Sequence, residues 1–202
     1  MRLTRVIVGS VAALALSMGA VAGTAQAAPK LPANPATSIT TLPGVAGTLL
    51  SVGILPSVSG VGSTQAVVGS LTSSKLKVVW GFPNTGVKKA GVTHTGTLTL
   101  TRTIKGMAHK ISLADLTVSL TKKNVTAYVA ALKARIVVFS LSNVVVKTNV
   151  ALKGHKATHV TGIVAIANAT VAKALGMALG FTKTPFAAGE KLATASVWIY
   201  TS

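Results

Sequence analysis

The chain has 202 residues, no cysteine, and twenty Lys and Arg against two carboxylates, a formal net charge of +18. It therefore has no disulfide or thiolate chemistry, and any stability must come from a hydrophobic core. Two carboxylates also leave little material for acid–base or hard-metal chemistry.

The chain begins Met1-Arg2-Leu3-Thr4-Arg5, followed by an uncharged, mostly apolar run from Val6 to Gly23 and the small-x-small step Ala25-Gln26-Ala27. This is the layout of a secretory signal peptide and predicts cleavage after residue 27. The expected mature chain keeps eighteen basic residues, sixteen of them lysine, and a net charge of about +16. Residues 28–41 carry Pro29, Pro32 and Pro35 and read as an extended leader. Residues 42–202 read as a single β-rich domain. No later segment looks membrane-spanning, so the expected location is outside the cell, either secreted or held at the envelope.

Pro43 to Val52 predicts one short helix, with Pro43 in its first turn and Gly53 as its stop. Strands are predicted from then on: 76–80, 92–104, 111–120, 125–132, 136–150 with a bend near Ser142-Asn143, 159–167 and 192–200. Turn signals separate them at Lys105-Gly106, Lys122-Lys123-Asn124 and Lys153-Gly154. A C-terminal helix falls within Asn168 to Gly180, where Val171, Leu175 and Leu179 share a face, Asn168 or Thr170 can cap the start and Gly180 the end. The expected fold is an all-β antiparallel β-sandwich, immunoglobulin-like, with these two helices.

Threonine occupies every second position from Thr93 to Thr103. A half-wet strand collects threonine, because its hydroxyl tolerates water and its methyl packs on neighbours. A binding array would need matching rows on adjacent strands. The 111–120 strand offers Ser112, Ala114, Leu116 and Val118 along one side, with no threonine among them, so the row is expected to be simply solvated.

The remaining chemistry is sparse. Asp115 and Glu190 have no spacing that suggests a paired acid and base. There is no G-x-S-x-G elbow and no phosphate loop. His155 and His159 are four apart in a strand-like stretch, about 13 Å in extended chain, too far to share a metal. His109 is expected to be solvated. His94 lies in line with Leu98 and Leu100 and is expected at the core edge, bonded to backbone. Eight aromatics and two mature arginines give no aromatic–basic alternation, so specific nucleic-acid binding is not expected. The sequons at Asn124 and Asn168 would matter only in a eukaryotic secretory path.

Several stretches in order resemble a group of secreted actinobacterial proteins: "GFPNTGV" (81–87), "GVTHTGTLTL" (91–100), "ISLADLTVSLTKKNVTAYV" (111–129), "ATVAKALGMALG" (169–180) and "PFAAGEKLATASVWI" (185–199). That group is similar to the HtaA domain of envelope haem-uptake proteins. The resemblance implies an all-β envelope domain, an HtaA-like form of the expected β-sandwich, and, as an alternative function, haem binding. HtaA-type domains ligate haem through a tyrosine near an early tryptophan, with a histidine in support. No tyrosine lies near Trp80 here, so Tyr128, Tyr200 and His94 are the residues left for that role.

The primary expectation is a non-enzymatic, cationic binding module without a cofactor. Lys75, Lys77, Lys88, Lys89, Lys122, Lys123, Lys153 and Lys156 fall at predicted turns and strand edges. They would contact anionic cell-envelope polymers or lipids, and their charge would also discourage edge-to-edge aggregation.

Overall fold

The computed structural model describes residues 36–69, 76–88 and 91–201. The expected signal peptide, Lys75 and Lys89 lie outside these residues.

Eleven strands join in one antiparallel sheet: β1 (Ala36–Thr41), β2 (Ile54–Ser59), β3 (Thr64–Val68), β4 (Lys77–Lys88), β5 (Gly91–His94), β6 (Thr97–Ile104), β7 (Met107–Ser119), β8 (Asn124–Val129), β9 (Ala134–Leu152), β10 (His155–Ile166) and β11 (Lys191–Tyr200). Helix α1 (Val45–Ser51) follows β1 and helix α2 (Ala169–Ala178) links β10 to β11. Eight strands close a ring in the order β7-β5-β4-β1-β11-β10-β9-β8, with the β7–β8 pair completing it. The other three hang outside the ring: β6 on β7, β2 on β6 and β3 on β4.

The fold is thus a closed β-barrel with three added strands, not the expected β-sandwich. Alternation along a strand tells which residues face the core, but not whether the first and last strands of a sheet meet. Closure needs strands that coil, and bulges supply the coiling. Register shifts fall between Asn84 and Gly86, between Ala114 and Thr117, between Ala157 and His159, and between Thr161 and Ile163. Asp115, Asn143 and Asn149 take positive φ at such places. The expected bend near Ser142-Asn143 is one of these bulges.

Residues 36–41, expected in the leader, form β1 in the barrel wall between β11 and β4. β2 and β3 were not expected either. Both come from the uncharged stretch, whose Gly and Ser content masks a weak alternation. The single strand expected at 92–104 is broken after His94. Gly96 has φ +110°, and a Cβ there would come 2.4 Å from Ser63 Oγ and 3.1 Å from the Ser59 carbonyl oxygen. The chain turns there from the ring strand β5 into the outer strand β6.

Inward positions fill the barrel with Thr37, Ile39, Phe82, Val92, Leu116, Val118, Val125, Ala127, Val138, Val160, Val164, Ala193, Ala195 and Val197. Small residues alternate with large ones, as a ring of eight strands requires for a filled interior. The crevice lined by Val118, Leu141, Val160, Gly162 and Val197 has room for about one water molecule.

Strand direction alternates around the ring, so the β4–β5, β7–β8 and β9–β10 turns and the end of β11 share one end. Both helices and the extra strands lie toward the other. β8 pairs β9 only as far as Ser140. Beyond it, β9 continues to Leu152 on β10 alone, and β10 is backed there by the last residues of β11. A three-stranded arm therefore projects past the β8 rim by about 30 Å of strand.

Candidate functional site

Of the lysines singled out by the sequence, Lys122 and Lys123 sit in the exposed β7–β8 turn, at the root of the arm, where the Lys123 carbonyl accepts from the Leu141 N–H at 2.7 Å. Lys153 and Lys156 are exposed at its tip. Lys88 ends β4 at the same end of the barrel, whereas Lys77 begins β4 at the opposite end. Lys147, which the sequence reading passed over, is exposed midway along the arm and faces His159 across the β9–β10 pair. The signal that could have found it is its place in an unusually long strand pattern.

Neither carboxylate lies on the arm. Asp115 is exposed at the β7 bulge, where its backbone oxygen accepts from Arg135 Nη1 at 2.7 Å. Glu190 precedes β11 and its Oε2 accepts from the Ala187 N–H at 2.9 Å, closing a turn. β7 and β11 stand on opposite sides of the eight-strand ring, so the two acids do not meet as a pair.

The arm's outer face carries a cluster of rings. Trp198 opposes His159 across the β10–β11 pair, and their rings stack with centroids 3.9 Å apart and planes 5° from parallel. His159 Nε2 is 2.8 Å from Ser196 Oγ. Burial and then the Lys147 charge lower the His159 pKa from its ordinary value. Tyr200 lies two positions beyond Trp198, and its ring centroid is 5.2 Å from that of His155. The two histidines dismissed as metal ligands thus stand on one strand, each beside an aromatic of the last strand. Sequence spacing could not show this, because the β10–β11 register decides it.

His94 is where the sequence placed it, facing inward and 3% exposed. Its Nδ1 is 2.9 Å from the Leu116 carbonyl oxygen. A carbonyl only accepts, so Nδ1 carries the proton and Nε2 accepts from the Thr37 hydroxyl at 2.6 Å. Thr37 Oγ1 is also 3.2 Å from Asn84 Oδ1, and Asn84 Nδ2 donates to the Trp198 carbonyl at 2.7 Å. The network ties β1, β4, β5, β7 and β11 together. Burial, opposed by the Leu116 bond, lowers the His94 pKa to about 4, which keeps the ring neutral at ordinary pH.

The three residues of the haem alternative are not brought together. His94 is inside the barrel, Tyr128 is 38% exposed on β8 beside Ala114 and Arg135, and Tyr200 is on the arm.

The threonine row does have neighbours, contrary to expectation. The bulge at Asp115 swaps the faces of β7, so Leu116 and Val118 point inward while Ser112 and Thr117 point outward. Thr117 then pairs with Thr93 and Thr126, and Thr99 pairs with Ser57 and Ser112. The Thr99 and Ser112 hydroxyls lie 3.1 Å apart. Among the described residues, no group of three or more His, Cys, Asp or Glu could hold a metal, and no helix is long and apolar enough to cross a membrane.

No known protein family matches the chain, and no curated protein matches it. Among solved structures, the haem-binding protein HtaB from Corynebacterium glutamicum aligns with 82% of this chain and 93% of its own, at 13% identity and a TM-score of 0.46.

Proposed function

We propose that this protein is a non-enzymatic, cationic binding module for anionic cell-envelope polymers, and that the projecting β9–β10–β11 arm is its contact surface. The observation that carries the reading is the distribution of charge. Lys122, Lys123, Lys147, Lys153 and Lys156 run from the root of the arm to its tip, and neither carboxylate of the chain lies among them. Charges spaced along a strand suit a polymer with repeated charges better than a compact ion. Lysine, a hydrated point charge on a flexible stem, suits diffuse attraction better than bidentate recognition. The filled barrel agrees with contact on the outside.

The test is sedimentation of the purified protein with isolated cell envelopes across a salt series. Binding should be strong at about 0.05 M salt and largely lost by about 0.5 M, where the Debye length falls to a few ångströms. Replacing the five arm lysines with glutamine should weaken binding at least about tenfold at low salt. Salt-independent binding, or an unchanged five-lysine variant, would overturn the reading.

One observation favours haem binding as a second reading. Tyr200 and His155 are the only tyrosine and histidine that the described residues bring into ring contact, and they stand on an accessible face. A tyrosinate ligand with a histidine in support would use these two, with arm lysines near the propionates, rather than His94 or Tyr128. Haem would supply an iron centre to bind, with no further chemistry from this chain. A saturable Soret band at one equivalent, lost in both Tyr200→Phe and His155→Ala and kept in Tyr128→Phe, is the result this reading requires.

A further inference from the structure

The polymer reading leaves the ring cluster unexplained. The chain uses aromatics sparingly, at 4% of residues, and half of them are buried in the core: Trp80, Phe82, Phe139 and Phe186. Trp198 and Tyr200 instead take alternate positions on β11 and are only partly buried on the outer face of the arm. A partly exposed tryptophan keeps apolar ring area within reach of a ligand, which threonine at the same place would not. Its neighbours are polar at their edges: His159 and His155 on β10, Ser196 on β11 and Lys147 on β9.

We infer that Trp198, Tyr200 and their two histidines form a subsite for the sugar rings of an anionic polysaccharide, with Lys147 placed for its carboxylate or phosphate. This rests on the polymer reading above and names the class of polymer. The apolar C–H face of a pyranose packs on an aromatic ring, and its hydroxyls need donors and acceptors at the ring edge. Ser196 and the imidazoles offer both. The charge complement is local, because Lys147 opposes His159 directly and no acidic side chain lies on the arm. A polyanion without rings would use the lysines alone and ignore Trp198. The subsite is continuous with the lysine arm, so one chain can engage both.

The experiment compares three probes for the purified protein at fixed ionic strength: polygalacturonate, ring-free poly-L-glutamate of similar length, and single-stranded poly(dT). Isothermal titration calorimetry reads each affinity in the parent and in variants that lack Trp198, and Trp198 fluorescence in the parent reports contact at the ring itself. Polygalacturonate should bind about tenfold tighter than polyglutamate, and Trp198→Ala should remove that advantage while leaving polyglutamate binding unchanged. Trp198→Phe, which keeps a ring and the strand, should retain most of it, and serves if the alanine variant fails to fold. Equal affinity for the two polymers, or Trp198 variants that lose both equally, would overturn the subsite while leaving the polymer reading standing. Trp198-dependent preference for poly(dT) would overturn it in favour of base stacking. If no polyanion binds and glutamine at the arm lysines changes nothing, the polymer reading fails and the subsite with it.

Discussion

His94 shows how one side chain can set a pH limit on the fold. Its pKa is about 4 in the folded barrel and near the ordinary 6.5 when unfolded. As pH falls below 6.5 the unfolded chain takes up a proton that the folded chain refuses, so stability falls with pH until about 4. The full contribution is present above 6.5, and about 3 kcal/mol is lost across the window. Urea unfolding at pH 7.5 and 4.5 should show this loss, and His94→Gln should flatten it. At pH 7.5 the same substitution should cost about 2 kcal/mol, because it disturbs bonds to Thr37 and Leu116. A pH slope unchanged in His94→Gln would show that other groups carry the acid sensitivity. His94 was legible because its strand neighbours alternate and its role is local. Its partner Thr37 was not, since it lies 57 residues away in a segment that reads as a leader.

At the scale of elements, two joints hold the pattern. Gly96 lets β5 leave the ring as β6, and the Asp115 N–H donates to the Gly96 carbonyl at 3.1 Å, so this kink and the β7 bulge support each other. Gly96→Ala should destabilise the protein by about 3 kcal/mol, since it adds a Cβ at positive φ against Ser63. A loss below about 1 kcal/mol in thermal unfolding would mean the kink is not required. Asn168 caps α2 by accepting from the Val171 N–H at 3.0 Å, and Asn168→Ala should cost about 1 kcal/mol. That cap was legible from the sequence, as was α1 with Gly53 behind it. The faces of β7 were not. One inserted residue at Asp115 reverses every later side chain, and alternation read through a bulge assigns Leu116 and Val118 to the wrong side. β2 and β3 were missed for a related reason: strands that hang on the outside bury only part of a face, so their apolar pattern is faint.

For the whole molecule, the arm joins the proposed contact surface to an edge-strand liability. Among the described residues nothing pairs the β9 edge beyond Leu141, whose N–H donates to the Lys123 carbonyl. Lys147 and the bulges at Asn143 and Asn149 blunt it. Gel filtration of Lys147→Val should therefore show more self-association than the parent protein at low salt, and unchanged elution would assign the protection to the bulges alone. The sequence by itself determined the antiparallel all-β class, most strand positions, both helices, the inward place of His94 and the excess of positive charge. These follow from local periodicity, capping and composition. Only the tertiary structure decided that the sheet closes into a barrel, that β1 belongs to its wall, that the arm lysines line one projecting edge, and that His155 and His159 meet Tyr200 and Trp198. Each of those depends on which strand pairs with which and in what register. Register is set by bulges and by packing between residues distant in the chain, and a one-dimensional pattern does not carry that information.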